Sequence, residues 1–102
     1  MEKLYTRFDG VFFEKTRLSL MTLIIQEGEI SFNILKKRMD MSDGALYTHL
    51  EKLIGAGYIE KKREIAGTSV QTIYTASGEG LALYREYLDF LEEMITRHKG
   101  DQ

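Results

Sequence analysis

Imidazoles, thiols, paired acids and glycine-rich loops carry most protein chemistry, and this sequence uses them sparingly. Its two histidines, His49 and His98, stand far apart, and there is no Cys. Thiolate nucleophiles, thiolate metal sites and disulfides are thereby excluded. No His cluster has the spacing of a metal site. Glu92 and Glu93 are adjacent, so on a helix they point in different directions and make a poor acid–base couple. Gly67-Thr68-Ser69 lacks the Gly-Lys that would continue a nucleotide-binding loop. No enzyme, cofactor or metal is expected. What remains are hydrogen-bonding and cationic groups suited to recognition, gathered in the middle of the chain.

The formal net charge is −2, which does not mark a general polyanion binder. Its distribution is uneven. Between residues 33 and 63, Lys36, Lys37, Arg38, Lys52, Lys61, Lys62 and Arg63 outnumber Asp40, Asp43, Glu51 and Glu60. The middle is the positive part of an acidic protein, and a phosphate backbone responds to local potential. Taken alone, the same charges also fit ordinary solvated faces.

Within this region, residues 42–58, SDGALYTHLEKLIGAGY, predict one short helix. Ser42 can accept from the free N–H groups of the first turn, and Asp43 suits its positive end. Gly57 lets the chain leave in a left-handed conformation. Leu46, Leu50, Leu53 and Ile54 share one face at about 100° per residue. The opposite face carries Gly44, Ala45, Thr48, Glu51 and Lys52. Its first two turns are small or lightly polar, which suits close approach to a partner better than simple solvation.

The elements that must position this helix follow from periodicity. A chain of 102 residues allows one domain and one modest core. No apolar run reaches the roughly 18 residues of a membrane span, and residues 1–8 are too polar for a signal peptide. A soluble, cytoplasmic protein is expected. We expect an N-terminal helix over residues 1–14, a central unit over 15–75 and a C-terminal helix over 76–98. Leu4, Tyr5 and Phe8 are at helical spacing, with Gly10 a potential interruption. Phe12 and Phe13 could cover the core or meet a second copy. Leu18, Met21, Leu23, Ile24 and Ile25 predict a largely buried helix over 16–26, ended by Gly28. Ile30 could pair with a later hairpin. Ser31 caps a helix over 32–39 carrying Phe32, Leu35 and Met39, and Asp40-Met41 form the turn into the next. Two short helices joined in this way describe a helix-turn-helix, although any small αα corner fits as well.

After Gly57 the period becomes alternating. Ile59, Lys61, Arg63 and Ile65 fall on one face of a strand, and Glu60, Lys62 and Glu64 on the other. A turn around Gly67 returns the chain as a second strand over 70–75. Such a hairpin must pack on helices to be stable. Thr75 is the expected cap of the last helix. There Leu81, Tyr84, Leu88, Leu91 and Ile95 step by three and four, widened by Leu83, Tyr87, Phe90 and Met94. A helix this apolar and long is expected to pair with a second copy, although a helix folded back on its own domain fits as well. The fold class is mainly α with a two- to three-stranded β-wing.

The run RLSLMTLIIQEGEISFNILKKRMDMSDGALYTHLEKLIGAGYIEKK, the segment QTIYTASGEG and the long helix after it resemble the small winged helix-turn-helix transcriptional regulators related to the MarR and ArsR groups. The likeness spans about three quarters of the chain. It implies sequence-specific binding of double-stranded DNA by a homodimer, with the helix from Ser42 in the major groove. Gly44 and Ala45 would permit close approach, and Tyr47 and Thr48 would offer hydroxyls. Ser42 and the helix N-terminus suit a phosphate, as do Lys52 and, on the preceding helix, Asn33, Lys36 and Lys37. Asp43 would repel phosphate unless it accepts from a base amine. His49 fits packing as well as DNA contact. The wing departs from the family pattern: its tip is Ala66-Gly67-Thr68-Ser69, with Gln71 beyond, and the cations Lys61, Lys62 and Arg63 sit on the strand. Lys61, Arg63, Thr68, Ser69 and Gln71 remain DNA candidates. Modest affinity with a steep salt dependence is expected. The dimer surface would use Phe12, Leu81, Tyr84, Tyr87, Leu88, Leu91, Met94 and Ile95. Relatives that bind phenolic effectors suggest a pocket at Phe12, Tyr84 and Tyr87, although such aromatics are more often plain core or interface. The acidic total charge and bare wing tip favour a second reading, a winged helix used only for protein contacts.

Overall fold

Glu14 opens the first helix of the computed structural model, which describes residues 10–100. Its carboxylate accepts from the Arg17 N–H at 2.9 Å, and α1 runs Lys15–Glu27 until Gly28, at a φ of 80°, ends it. Residues 1–9 of the expected N-terminal helix lie outside the described residues. Residues 10–14 form a turn and a bend instead of its end. The reason is local: the carbonyls of Gly10 and Val11 accept from the Arg17 guanidinium, which binds the chain in a non-helical path.

β1 (Ile30–Ser31) follows, and Ile30 pairs with Tyr74 as the apolar pattern suggests. Ser31 then caps α2 (Phe32–Met39), its hydroxyl accepting from the Ile34 N–H. The turn to the next helix places Asp40 at a φ of 51°, a left-handed conformation that Asp tolerates better than most residues. α3 (Asp43–Gly55) starts on Ser42, which accepts from the Ala45 N–H at 3.2 Å. β2 (Ile59–Ala66) and β3 (Ser69–Ala76) form an antiparallel hairpin, and β1 completes a sheet of order β1-β3-β2. Gly67, at a φ of 64°, supplies the first residue of the two-residue turn.

The last helix, α4 (Gly78–Gly100), begins two residues later than expected. Thr75 and Ala76 stay in β3, paired with Glu60 and Ile59. The cap is Ser77, whose hydroxyl accepts from the Gly80 N–H at 3.0 Å and donates to the Gly57 carbonyl at 2.6 Å.

The core is built where these elements meet. Leu20, Met21 and Ile24 of α1, Leu35 of α2, and Leu46, Leu50 and Leu53 of α3 are fully buried. Phe12, expected at a subunit interface, is also fully buried in the chain's own core, against Tyr58 and Phe13. Tyr84 is likewise buried, and its hydroxyl meets that of Thr22 at 2.6 Å. The aromatics suggested as an effector pocket thus close on one another, Phe12 to Tyr84 at 6.5 Å and Tyr84 to Tyr87 at 6.1 Å between ring centres. Beyond Tyr87 the helix leaves the body. Leu88, Leu91, Met94 and Ile95 are exposed, and the described chain is 58 Å long but only 25 by 23 Å across. Among the described residues no helix is long and apolar enough to cross a membrane.

Candidate nucleic-acid interface

Three buried leucines fix the rotation of α3, and that rotation decides what faces out. With Leu46, Leu50 and Leu53 inside, the residues Ser42, Asp43, Gly44, Ala45, Tyr47, Thr48 and Lys52 are all exposed. Nothing lies within 4 Å of the place a Cβ would take on Gly44, so this end of the helix is open to a close neighbour. Thr48 differs from the expectation in one respect. Its hydroxyl donates to the Gly44 carbonyl of its own helix at 2.9 Å, leaving it free to accept rather than donate.

Asp43, expected to repel phosphate, is paired with Lys36 of α2 at 2.7 Å. The pair cancels a negative charge at the helix start but also occupies a lysine counted among the DNA candidates. Lys61 of the wing is occupied too: it donates to Glu51 of α3 at 2.8 Å and lies 5.6 Å from the centre of the Tyr47 ring. The hydrogen bond to Glu51 raises the Lys61 ammonium above the usual lysine value. Lys62 is raised in the same sense by Glu29, 2.8 Å away. Lys37, Lys52 and Arg63 have no carboxylate partner among the described residues. These three are the cations most available to an incoming anion.

Between α3 and the wing lies a groove of about 510 Å³ lined by Phe32, Tyr47, Lys61, Lys62, Arg63, Thr72 and Tyr74. Tyr74 forms its floor and is buried, which pushes its phenol above the usual tyrosine value.

Strand alternation sorts the wing into two unlike faces. The register pairs Lys61 with Tyr74, Arg63 with Thr72 and Ile65 with Val70. That face looks at α3, since Lys61 reaches Glu51 and the Tyr47 ring, and it carries no acid. The other face carries Glu60, Lys62 and Glu64, opposite Thr75, Ile73 and Gln71, and Lys62 reaches away to Glu29. Of the wing residues expected to act together, Lys61 and Arg63 share the α3 side. Ser69 and Gln71 fall on the acidic side, and Thr68 sits in the turn. Asn33 and Lys37 are exposed on α2.

One residue escaped the sequence reading. Arg17 is buried within α1, with its guanidinium donating to the Val11 carbonyl at 2.6 Å, the Gly10 carbonyl at 3.1 Å and His49 Nδ1 at 2.9 Å. Arginine only donates, so His49 accepts, and its role is to tie α3 to α1 rather than to reach DNA. The signal was present: Arg17 occupies the same helical stripe as Leu20, Met21 and Ile24, where an apolar residue is the rule.

The comparisons with known proteins agree with this fold. The sequence profile of a family described as the winged helix DNA-binding domain matches residues 16–95. An uncharacterised protein of Methanocaldococcus jannaschii is 28% identical over 78 residues, covering 76% of this chain and 85% of that protein. A transcriptional regulator homologue from Pyrococcus horikoshii superimposes with a TM-score of 0.79 at 22% identity, over 94% of this chain and 96% of that one. A MarR-family structure from Enterococcus faecalis gives 0.71 at 22% identity, over 90% and 84%. These likenesses bear out the winged helix-turn-helix fold. With the family profile covering most of its length, the chain belongs to the winged helix DNA-binding domain family.

Proposed function

We propose that this chain is a sequence-specific, double-stranded DNA-binding transcription regulator that works as a cytoplasmic homodimer, with the N-terminal half of α3 in the major groove. The observation that carries the reading is the open face of α3 around Gly44, flanked by Lys37, Lys52 and Arg63. Base edges would be met from Ala45, Tyr47 and Thr48, and phosphates from the helix N-terminus at Ser42 and from the flanking cations. The regulators among its structural relatives support the same reading. The exposed stripe Leu88, Leu91, Met94 and Ile95 on α4 supports pairing with a second copy. Two reading helices one DNA turn apart would be separated by ~34 Å.

A mobility-shift assay with the region upstream of the protein's own coding sequence tests this. Lys37, Lys52 and Arg63 from each subunit should together give a loss of about a thousandfold between ~50 and ~200 mM salt. Absence of any specific shift at low salt, with a partner protein co-purifying, would favour the protein-contact reading that the acidic total charge suggests. Releasing Lys61 by Glu51→Gln should tighten binding severalfold and steepen the salt dependence by about one power per subunit, readable in the same titration. Replacing Leu91 and Ile95 together by Glu should turn a dimer into a monomer in sedimentation velocity. Half-sites would then be bound singly, with the loss of affinity that follows from losing the second contact.

A further inference from the structure

The groove between α3 and the wing brings three aromatic rings, Phe32, Tyr47 and Tyr74, together with Arg63, Lys61 and the Thr72 hydroxyl. We propose that it is a binding site for a free nucleoside monophosphate. The chemistry of the walls assigns the two ends of the ligand. Tyr74 is buried and forms a fixed floor, Phe32 is half-buried, and Tyr47 is 51% exposed, so an aromatic surface stands open to a second ring. Every base has a π-face that such a surface can hold. Arg63 and Thr72 pair across the hairpin one rung beyond Lys61 and Tyr74. A base laid over Tyr74 therefore has Arg63 about 7 Å further along the ribbon, a distance that a ribose spans. Of the lining cations, Lys61 is held by Glu51 and Lys62 by Glu29, whereas Arg63 has no carboxylate partner among the described residues. Its planar fork suits phosphate oxygens, so no glycine-rich loop is needed. The lining includes no acid that would repel the phosphate. Size argues against a smaller ligand. The groove measures about 510 Å³, whereas a cavity of about 150 Å³ already accommodates benzene. A single-ring acid would satisfy Arg63 but leave most of the aromatic wall wet. Tyr47 and Arg63 also stand on the surface assigned above to duplex DNA. A bound nucleotide would exclude the duplex, which makes its concentration a signal to the regulator. That consequence, unlike the site itself, rests on the DNA-binding reading.

Isothermal titration calorimetry on the full chain without DNA tests the site. The probes are the four ribonucleoside 5′-monophosphates, the matching nucleosides, inorganic phosphate and benzoate. At least one monophosphate should bind more tightly than its nucleoside, and more tightly than phosphate or benzoate. Arg63→Gln should weaken that monophosphate by about tenfold, the scale of a hydrogen bond to a charged group, and leave the nucleoside unchanged. Tyr47→Ala should weaken both alike by about tenfold, the scale of one base–aromatic stack. Both side chains are exposed, so the unfolding midpoints should match the parent's. The proposal is overturned if no monophosphate binds at millimolar concentration, or if phosphate or benzoate binds as tightly as the best of them. It is also overturned if Arg63→Gln weakens nucleotide and nucleoside equally. In fluorescence anisotropy on a labelled duplex carrying the upstream region, the same nucleotide should displace the duplex from the parent. A nucleotide that binds while the duplex stays in place lies elsewhere and overturns the assignment to this groove. If the parent binds the nucleotide but no duplex at low salt, the DNA-binding reading fails and the site stands. If it binds the duplex but no nucleotide, the inference fails and the reading stands.

Discussion

Arg17→Ala should lower the free energy of unfolding by about 3 kcal/mol, the scale of removing one partner from a buried charged network. The loss has two parts. The guanidinium is the shared donor for the carbonyls of Gly10 and Val11 and for His49 Nδ1. Without it, groups at the edge of the core lose their hydrogen bonds, and burying an unsatisfied polar group costs about 1–3 kcal/mol. The turn over residues 10–13 also loses its tether, and that turn is what seats Phe12 among Tyr58, Phe13 and Tyr84. Arg17→Lys should recover little, because an ammonium cannot serve three acceptors spread around a planar fork. Urea unfolding followed by far-ultraviolet circular dichroism measures the effect, and an unfolding midpoint close to the parent's would contradict the network. Glu14 belongs to the same corner. The Arg17 N–H holds its carboxyl below the usual carboxylate range, so its contribution is complete above that range. It is lost as pH falls through the lower folded value.

Gly80→Ala should cost about 2–3 kcal/mol, the upper range for overpacking against groups that cannot move aside. A methyl group there would overlap the Tyr58 carbonyl oxygen and lie 3.0 Å from the carbonyl carbon. Both are backbone atoms, and the same carbonyl already accepts from the Ser77 N–H at 3.0 Å. Neither the strand entry nor the helix start can shift without breaking that bond. Gly78→Ala is the control: it is in the same turn, nothing lies within 4 Å of its added methyl, and alanine is the better helix former. Thermal melts of the two variants should therefore move in opposite directions. A Gly80 variant as stable as the parent would mean that α4 does not approach Tyr58 this closely.

Periodicity and capping chemistry made most of the fold legible. Ser31 and Ser42 each precede an apolar repeat, and both cap as their position implies. The shift from a helical to an alternating period after Gly57 marks the wing, and even the two-residue strand at Ile30 could be anticipated from its place between helices. Local pattern places the cap of the last helix at Thr75, two residues early. Thr75 is a good cap by type, and only its pairing with Glu60 shows that the strand continues past it and leaves the cap to Ser77. The outward residues of α3 followed from where its leucines point. What no local pattern reveals is long-range electrostatics. The pairs Lys36 with Asp43, Lys61 with Glu51, and Lys62 with Glu29 depend on how elements meet in space, and they separate occupied lysines from available ones. Phe12 and Tyr84 illustrate the same gap, since an aromatic near the end of a chain looks alike whether it faces its own core or another molecule.

The Ser77 hydroxyl bonds the last turn after α3 to the first turn of α4 through Gly57 and Gly80, and β3 reaches this point without slack. In a dimer built on α4, each reading helix is therefore welded to the arm that holds its twin. Under the proposed function, such a pair would behave as a fixed-jaw gauge whose opening is set when the chain folds. DNA sites with one base pair added or removed between their halves would have to twist to suit the protein, because this joint offers no swivel to meet them.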